Sequence, residues 1–383
     1  MVAPRALRVL LVANDGFSAG HVVRSVAIAR ALARCARTRG IGVQLLLATT
    51  SEADAVLASD TFAVVRLPAP VAARRAGFGD VERRRIVRAV LEGTFGAFAP
   101  DLLVCDTFPS GPHGELAGLG SGRCKRALVR RAVPDERADE EATSAGFRDH
   151  ELAIVADDPG PHPVRSPIPV VRVPPITIGE AFEARTREEA RRALGLPLDC
   201  SAVLVGSGGG GDHLAVERAR ELARVATRVD PEIIAVRTRG PLERAPLGTG
   251  IARAGDVDSR IFEPSVAPMQ PLLAAFDGAF APAGYNTAHE LAKAGVPAAL
   301  FAQPRPFDDQ AARARRFAER GFGFLLERFD DDAVAAALAW MKRAPRPPLE
   351  AGGADAAAEV LLDLATGKPI GRGPDARTEE ASR

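Results

Sequence analysis

Short apolar runs alternate with longer amphipathic stretches along nearly the whole chain, a pattern that fits a parallel sheet with helices on both faces. LRVLLVA (7–13) reads as a first buried strand. The stretch after it places Val22, Val26, Ala29, Leu32 and Ala33 at helical spacing, and VQLLLAT (43–49) supplies a second strand, which completes one βαβ unit. FAVVRL (62–67) and DLLVCDT (101–107) read as further strands around an arginine-rich helix from Asp80 to about Phe98, and RALVRR, LAIVAD and PVVRV continue the series. Residues 157–175 are dense in proline, which fixes φ and disfavours helix, so the first series is expected to end there. A second series follows: AVLVGSGGGGDH (202–213), EIIAVRT (232–238), DGAFAPAGYNTAHELAKAG (277–295), AALFAQP (298–304) and a helix from Asp308 to Arg320.

Two series match the length. A chain of 383 residues exceeds what one hydrophobic core sustains. The expected division is 1–174, 175–350, and a C-terminal segment 351–383 made of an alanine-rich helix and a disordered tail. Hydrophobic residues at 46% and charged residues at 26% exclude wholesale disorder and a membrane-embedded bundle. A net charge of +1 argues against a nucleic-acid binder with a broad electrostatic footprint. The balance hides a modest asymmetry: residues 1–175 carry 23 Lys and Arg against 19 Asp and Glu, and the remainder 27 against 30. Cys35, Cys105, Cys124 and Cys200 stand far apart, so neither a zinc site nor a disulfide scaffold is signalled, and free thiols in a reducing compartment are expected. The first apolar run is short and is followed by Asn14, Asp15 and Gly16, so it reads as a strand rather than a signal peptide. No segment approaches the roughly 20 apolar residues of a membrane span. A cytoplasmic location is expected.

Three strand-to-helix junctions carry the chemistry. In NDGFSAGHVVR (14–24), Gly16 and Gly20 permit close backbone approach, and His21 stands at a helix start whose positive dipole end disfavours the imidazolium. His21 is therefore expected to stay neutral and able to accept a proton. The same residues also describe an ordinary tight turn with a surface histidine. In GSGGGGDH (206–213), four consecutive glycines can form a nest for phosphate oxygens or a long structural turn. No lysine follows as in a P-loop, which disfavours an ordinary ATPase or GTPase.

The third junction, PAGYNTAHELAKAGVPAALFAQPRPFDDQAARARRFAERG (282–321), is the most specific. Gly284 opens a turn, Thr287 can present its hydroxyl at a helix start, and Glu290 lies one turn further on, where a carboxylate can accept two hydrogen bonds from a ribose diol. Asp308, Asp309 and Gln310 stand at the next helix start, beside the sheet edge where open α/β folds bind ligands. The arginines Arg74, Arg75, Arg83, Arg84, Arg85 and Arg88 could meet an anionic lipid surface, but a solvated helix face in an arginine-biased chain with only four lysines is the simpler reading.

This third stretch resembles the donor-binding signature of GT-B glycosyltransferases, especially the family 28 type that includes the lipid II N-acetylglucosaminyltransferases, and it is similar to a related group of bacterial glycosyltransferases. The resemblance runs from Arg8 to about Ala337 and includes SAGHVVRSVAIARALA, FAPDLLVCDTFPSGPHGEL (98–116), the GGGGD loop and DDQAARARRFAERG. It implies an α/β chain of GT-B architecture, two Rossmann-like domains facing across a cleft, the first for the acceptor and the second for a nucleotide sugar. It further implies that Gly208, Gly209, Gly210 and Gly211 lie near the donor diphosphate. Tyr285, Asn286 and Thr287 after Gly284 would form a second phosphate-binding helix start. Glu290 would hold the ribose, and Asp309 and Gln310 would reach sugar hydroxyls. His21 would face the reaction centre with Gly16, Ser18 and Gly20, Asp106 would be the second candidate for a base or acceptor contact, and Arg24 could assist the diphosphate.

The chain departs from the family pattern in carrying Ser18 and Ala19 before Gly20, Ser25 after Arg24, and Phe307, Asp308, Asp309 and Gln310 in the later loop. The expected reaction is inverting transfer of a hexosyl group, N-acetylglucosamine by resemblance, from a UDP-sugar to an acceptor hydroxyl. The UDP-sugar is a co-substrate. No cofactor is expected, and no metal, since no Asp-x-Asp element stands in a suitable loop. The acceptor is a lipid, glycan or small molecule, no nucleic acid is involved, and the modestly basic first domain is compatible with peripheral contact at the inner membrane face. Two alternatives share the architecture: a non-catalytic nucleotide-sugar-binding protein and a UDP-N-acetylglucosamine 2-epimerase.

Overall fold

The computed structural model describes residues 5–14, 19–120, 122, 124–131, 145–158, 166–240, 242–243, 259–264, 269–305, 308–346, 352–370 and 378–379. The chain forms two compact units, Met1–Ala181 with Ala351–Arg383, and Phe182–Glu350. The segment after 350 thus returns to the first unit.

The first unit holds β1 (Leu7–Ala13), α1 (Gly20–Thr38), β2 (Val43–Thr49), α2 (Asp54–Leu57), β3 (Ala63–Arg66), α3 (Pro70–Arg75), α4 (Asp80–Phe98), β4 (Leu102–Asp106), β5 (Lys125–Arg131), β6 (Leu152–Ala156) and β7 (Val170–Val173). The second holds α5 (Arg187–Leu194), β8 (Ser201–Gly206), α6 (His213–Val229), β9 (Ile233–Thr238), β10 (Ile261–Phe262), β11 (Gly278–Pro282), α7 (Tyr285–Lys293), β12 (Ala298–Phe301), α8 (Gln310–Glu319), β13 (Gly323–Leu325) and α9 (Asp331–Met341). The return segment adds α10 (Gly353–Thr366) and β14 (Thr378–Glu379), which pairs antiparallel with β7. The sheet orders are β14-β7-β6-β5-β4-β1-β2-β3 and β10-β9-β8-β11-β12-β13. All other pairings are parallel.

Strands that read as near-continuous apolar runs do so because both faces are covered. In β8, Val203 and Val205 pack with Leu222 of α6 and Leu338 of α9, while Leu204 between them joins Leu194 of α5, Leu291 of α7 and Phe317 of α8. In β1, Leu10 and Val12 share a cluster with Val87, Leu91 and Phe95 of α4. Val22, Val26, Ala29 and Leu32, the spacing read from the sequence, are buried on α1. The same helix is clasped by α10: Arg34 donates to Oδ1 of Asp355 (2.6 Å), and Arg39 pairs with Glu359 and donates to Oδ1 of Asp363 (2.6 Å). A β-carbon at Gly353 would collide with the carbonyl oxygen of Pro174, so this close approach requires glycine.

In each sheet the chain starts near the middle, winds outward, then crosses back beside its starting strand. The crossing lies between β1 and β4 in the first unit and between β8 and β11 in the second. Carboxyl ends of strands at such switch points are where doubly wound sheets bind ligands.

Candidate functional site

At the first switch point, β1 runs into α1 and places His21 on its opening turn, while β4 ends in Asp106. Nδ1 of His21 lies 2.7 Å from Oδ1 of Asp106, although 85 residues separate them. The Asp106 side chain is 2% exposed and that of His21 16%. Arg24, one turn along α1, donates from Nε to Oδ2 of Asp106 (2.7 Å) and from Nη2 to Oδ1 (2.6 Å), a bidentate buried pair. Burial opposes ionisation of Asp106, yet the Arg24 charge and hydrogen bonds from His21 and Arg24 hold its carboxyl well below the ordinary carboxylate range.

Asp106 thus pairs with both His21 and Arg24. Arg24 is buried against Asp106, with Nη2 also donating to Oγ1 of Thr107 (2.7 Å). With Nδ1 of His21 donating to Asp106, the neutral tautomer carries its lone pair on Nε2.

Residues that the motifs did not single out complete this edge. Thr107 adopts φ 64°, a left-handed conformation rare for a β-branched residue, and its hydroxyl donates to Oδ1 of Asp106 (2.8 Å). Phe108 packs against the imidazole, ring centroids 5.6 Å apart. Asn14, just past β1, donates from Nδ2 to Oε1 of buried Glu115 (2.7 Å), whose Oε2 accepts from the His113 backbone (2.8 Å). Only their positions directly after β1 and β4 could have flagged them. Gly20 is the first residue of α1; Gly16 and Ser18 lie outside the described residues.

The second switch point is furnished differently. After β8, the glycines 208–211 pack against the turn that follows β9: Leu242 donates its backbone N–H to the carbonyl of Gly209 (2.9 Å), and a β-carbon at Gly240 would strike the backbone nitrogen of Gly210. That turn is anchored by Arg237, which donates to Oε1 of Glu243 (2.9 Å) and Oε2 of Glu263 (2.8 Å). Asp212 ends the loop and caps α6, its Oδ1 accepting from the N–H of Leu214 (3.0 Å) and Ala215 (3.4 Å). By contrast, α7 begins after Gly284 with no side-chain cap on its first turn, Tyr285, Asn286 and Thr287, at the positive end of the helix.

The Tyr285 side chain turns inward against His289 (4.5 Å between ring centroids), so its backbone rather than its phenol belongs to the helix end. Glu290 is buried on the same helix. Asp309 caps α8 by accepting from Ala312 N–H (2.9 Å) and stays exposed. Gln310 is buried, its Oε1 accepting from Gln303 N–H (3.1 Å) and its Nε2 donating to Asp308 (3.3 Å). The amide of Gln310 therefore shapes the loop, and Asp309 is the member of that pair that meets solvent. Among the described residues, no three His, Cys, Asp or Glu side chains are grouped to hold a metal ion.

No family model matches the chain. It is 27% identical over 328 residues, 82% of this chain and 84% of the relative, to a UDP-N-acetylglucosamine–N-acetylmuramyl-(pentapeptide) pyrophosphoryl-undecaprenol N-acetylglucosamine transferase of Acidothermus cellulolyticus. Among solved structures, a calicheamicin glycosyltransferase matches with TM-score 0.59 at 19% identity, covering 95% of this chain and 99% of the other. The spinosyn forosaminyltransferase SpnP matches with TM-score 0.58 at 17% identity, covering 95% and 96%. The spinosyn rhamnosyltransferase SpnG, solved with thymidine diphosphate, gives 0.53 at 21%, covering 95% and 97%. Fold and likeness together define a glycosyltransferase of GT-B architecture. In sequence it resembles the lipid II N-acetylglucosaminyltransferases of family 28.

Proposed function

We propose that the chain transfers a hexosyl group, N-acetylglucosamine being the first choice, from a UDP-sugar to an acceptor hydroxyl with inversion at the anomeric carbon. The observation that carries this reading is the buried His21–Asp106 pair at a sheet switch point. Asp106 orients the imidazole, and Nε2 of His21 takes the proton of the acceptor hydroxyl. The acceptor oxygen bonds to the anomeric carbon as the bond from that carbon to the β-phosphate oxygen breaks, and its electron pair leaves with UDP. The first unit then acts on the acceptor and the second holds the donor. The N-terminus of α7, which has no side-chain cap, receives the diphosphate through backbone N–H groups, with the glycine loop as a second contact, and Glu290 accepts hydrogen bonds from the ribose. In this scheme hydrogen bonding and helix dipole answer the diphosphate charge, and no metal has an assigned role.

The dyad favours turnover over mere nucleotide-sugar binding, and no further acid–base pair is assigned that would serve an epimerase. The sugar and the base rest on likeness to the family 28 relative, and the thymidine diphosphate seen in SpnG makes a thymidine nucleotide the second choice. The test is incubation with UDP-N-acetylglucosamine, or its thymidine counterpart, and candidate lipid and small-molecule acceptors. Release of nucleoside diphosphate that disappears in His21→Ala, with nucleotide affinity retained, supports the reading. Epimerised sugar nucleotide, or binding without release, overturns it.

A membrane-borne acceptor is favoured by one surface. Phe78 (40% exposed) and Val81 (62% exposed) stand between exposed Arg74, Arg75, Arg84 and Arg85 at the α3–α4 corner, whereas Arg83 is buried and Arg88 donates to the carbonyls of Glu115 and Ala117. Exposed Asp80 and Glu82 flank Val81 as well, so the four arginines leave the corner with a modest positive excess, which suits an anionic bilayer surface. Cosedimentation with phosphatidylglycerol vesicles but not phosphatidylcholine vesicles, abolished in Phe78→Ser/Val81→Ser, is the expected result; indifference to lipid charge removes this part of the reading. Among the described residues no helix is long and apolar enough to cross a membrane.

A further inference from the structure

The loop between β12 and α8 carries an arginine that no motif marks. Nη1 of Arg305 lies 3.0 Å from Oδ2 of Asp212, and Nη2 donates to Oε1 of Gln303 (3.0 Å). The Arg305 and Asp212 side chains are 27% and 28% exposed, so this pair stands at the rim of the sheet edge, within reach of solvent. A short run of contacts connects it to the start of α7. Gln303 N–H donates to Gln310, whose Nε2 lies 3.8 Å from where a β-carbon on Gly284 would sit.

Two buried polar groups at this sheet edge have no protein partner among the described residues: Nε2 of Gln303, in a residue 6% exposed, and Oγ of Ser207, 3% exposed, at the start of the glycine loop that ends in Asp212. Buried polar groups are ordinarily satisfied, so each has hydrogen-bonding capacity to offer a polar ligand. Asp212 meanwhile does two jobs: it caps α6 and neutralises Arg305. A guanidinium fork matches two phosphoryl oxygens at least as well as a carboxylate, and a nucleoside diphosphate brings more negative charge than one aspartate.

We propose that Arg305 is the cation of the donor diphosphate, exchanging Asp212 for phosphoryl oxygens when the nucleotide binds, with Gln303 Nε2 and Ser207 Oγ as neutral donors. The inference rests on the reading of the second unit as the donor site. In the transfer step the electron pair released from the broken anomeric C–O bond goes onto the β-phosphate oxygen, and Arg305 meets that growing charge. Asp212 is then an internal competitor that sets how tightly diphosphate is held.

The test is calorimetry with UDP, UMP and uridine, and with TDP and thymidine, on the unaltered chain, Arg305→Gln, Arg305→Lys and Asp212→Asn, each checked by thermal melting. Arg305→Gln is expected to weaken the diphosphate by about tenfold or more and the nucleoside by less than about twofold, as follows from losing a charge-assisted hydrogen bond. Arg305→Lys should recover part of the loss. Asp212→Asn keeps a good helix cap while removing the competing charge, and should tighten the diphosphate by about two- to tenfold. Equal loss of nucleoside and diphosphate in Arg305→Gln, no loss at all, or weaker diphosphate in Asp212→Asn overturns the proposal while leaving the donor site standing. If neither UDP nor TDP binds the unaltered chain, the donor reading itself fails and the proposal with it.

Discussion

The two sheet edges share a topology and differ in what they offer a ligand. At β1/β4, side chains converge: Arg24 and His21 meet on one buried carboxylate. At β8/β11, the main chain is presented instead, through a glycine loop and a helix whose first turn has no side-chain cap. A buried charged cluster costs desolvation and is worth keeping where a proton must be directed. Backbone N–H groups cost nothing comparable and suit an anion that must be bound and then released. A doubly wound sheet therefore fixes where ligands go, and the residues at the strand ends decide what is done there.

The strongest way to break this contrast is His21→Ala. It should lower turnover by up to about 10⁴-fold, the range for loss of a general base, while nucleoside diphosphate affinity stays within about twofold. Parallel losses in both would mean that the first edge also holds the nucleotide. Next is Arg24→Met, which leaves Asp106 buried without its cation and should destabilise the first unit by about 3 to 4 kcal/mol in thermal or urea unfolding. An unchanged melting temperature would show the pair to be energetically idle. In the second unit, Glu290→Ala should cost about 1.5 to 3 kcal/mol of UDP affinity if its carboxylate holds the ribose through charged hydrogen bonds; unchanged affinity in calorimetry removes that role.

Acid provides a smaller test. His150, directly after the turn 145–149 in the first unit, donates from Nδ1 to the Gly146 carbonyl (3.0 Å), and burial, followed by the Arg126 charge, pulls its pKa down from 6.5 to about 4. The unfolded chain gains that proton below about pH 6.5 and the folded chain only near pH 4, so stability is full above this window and falls as pH drops through it. The loss should be about 2 kcal/mol between about pH 7.5 and 5, absent in His150→Phe. A pH-independent difference between the two proteins would show that His150 is not buried neutral. Smallest of all is the expected effect of a chelator: turnover after EDTA treatment should match the untreated enzyme, and a loss restored by a divalent cation would overturn the assignment of the diphosphate charge to Arg305, neutral hydrogen-bond donors and the helix dipole.

What the sequence made legible follows period and glycine. Strands such as 7–13 and 43–49, the helix 80–98 and the two junction loops are visible because local spacing and turn chemistry determine them. Asp106 could be named from its place at a strand end, but its coupling to Arg24 could not, since it depends on two elements brought together across 82 residues. Arg305 was hidden for the opposite reason. In an arginine-rich chain one more arginine carries no signal, and its pairing with Asp212 across the sheet edge is visible only in the fold. Gln310 could be named from its helix start, but the hydrogen bonds of its buried amide to Gln303 and Asp308 could not.

The return of α10 to α1 sets an order of assembly. The second unit is one continuous stretch, whereas the first is interrupted by it. The helix that bears His21 is held by Asp355 and Asp363, which follow the whole second unit in the sequence. The second unit can fold as soon as its own continuous stretch has been made, whereas the first stays incomplete until residues beyond 350 have followed. In a growing chain the half that carries the His21–Asp106 pair is therefore the later of the two to be completed.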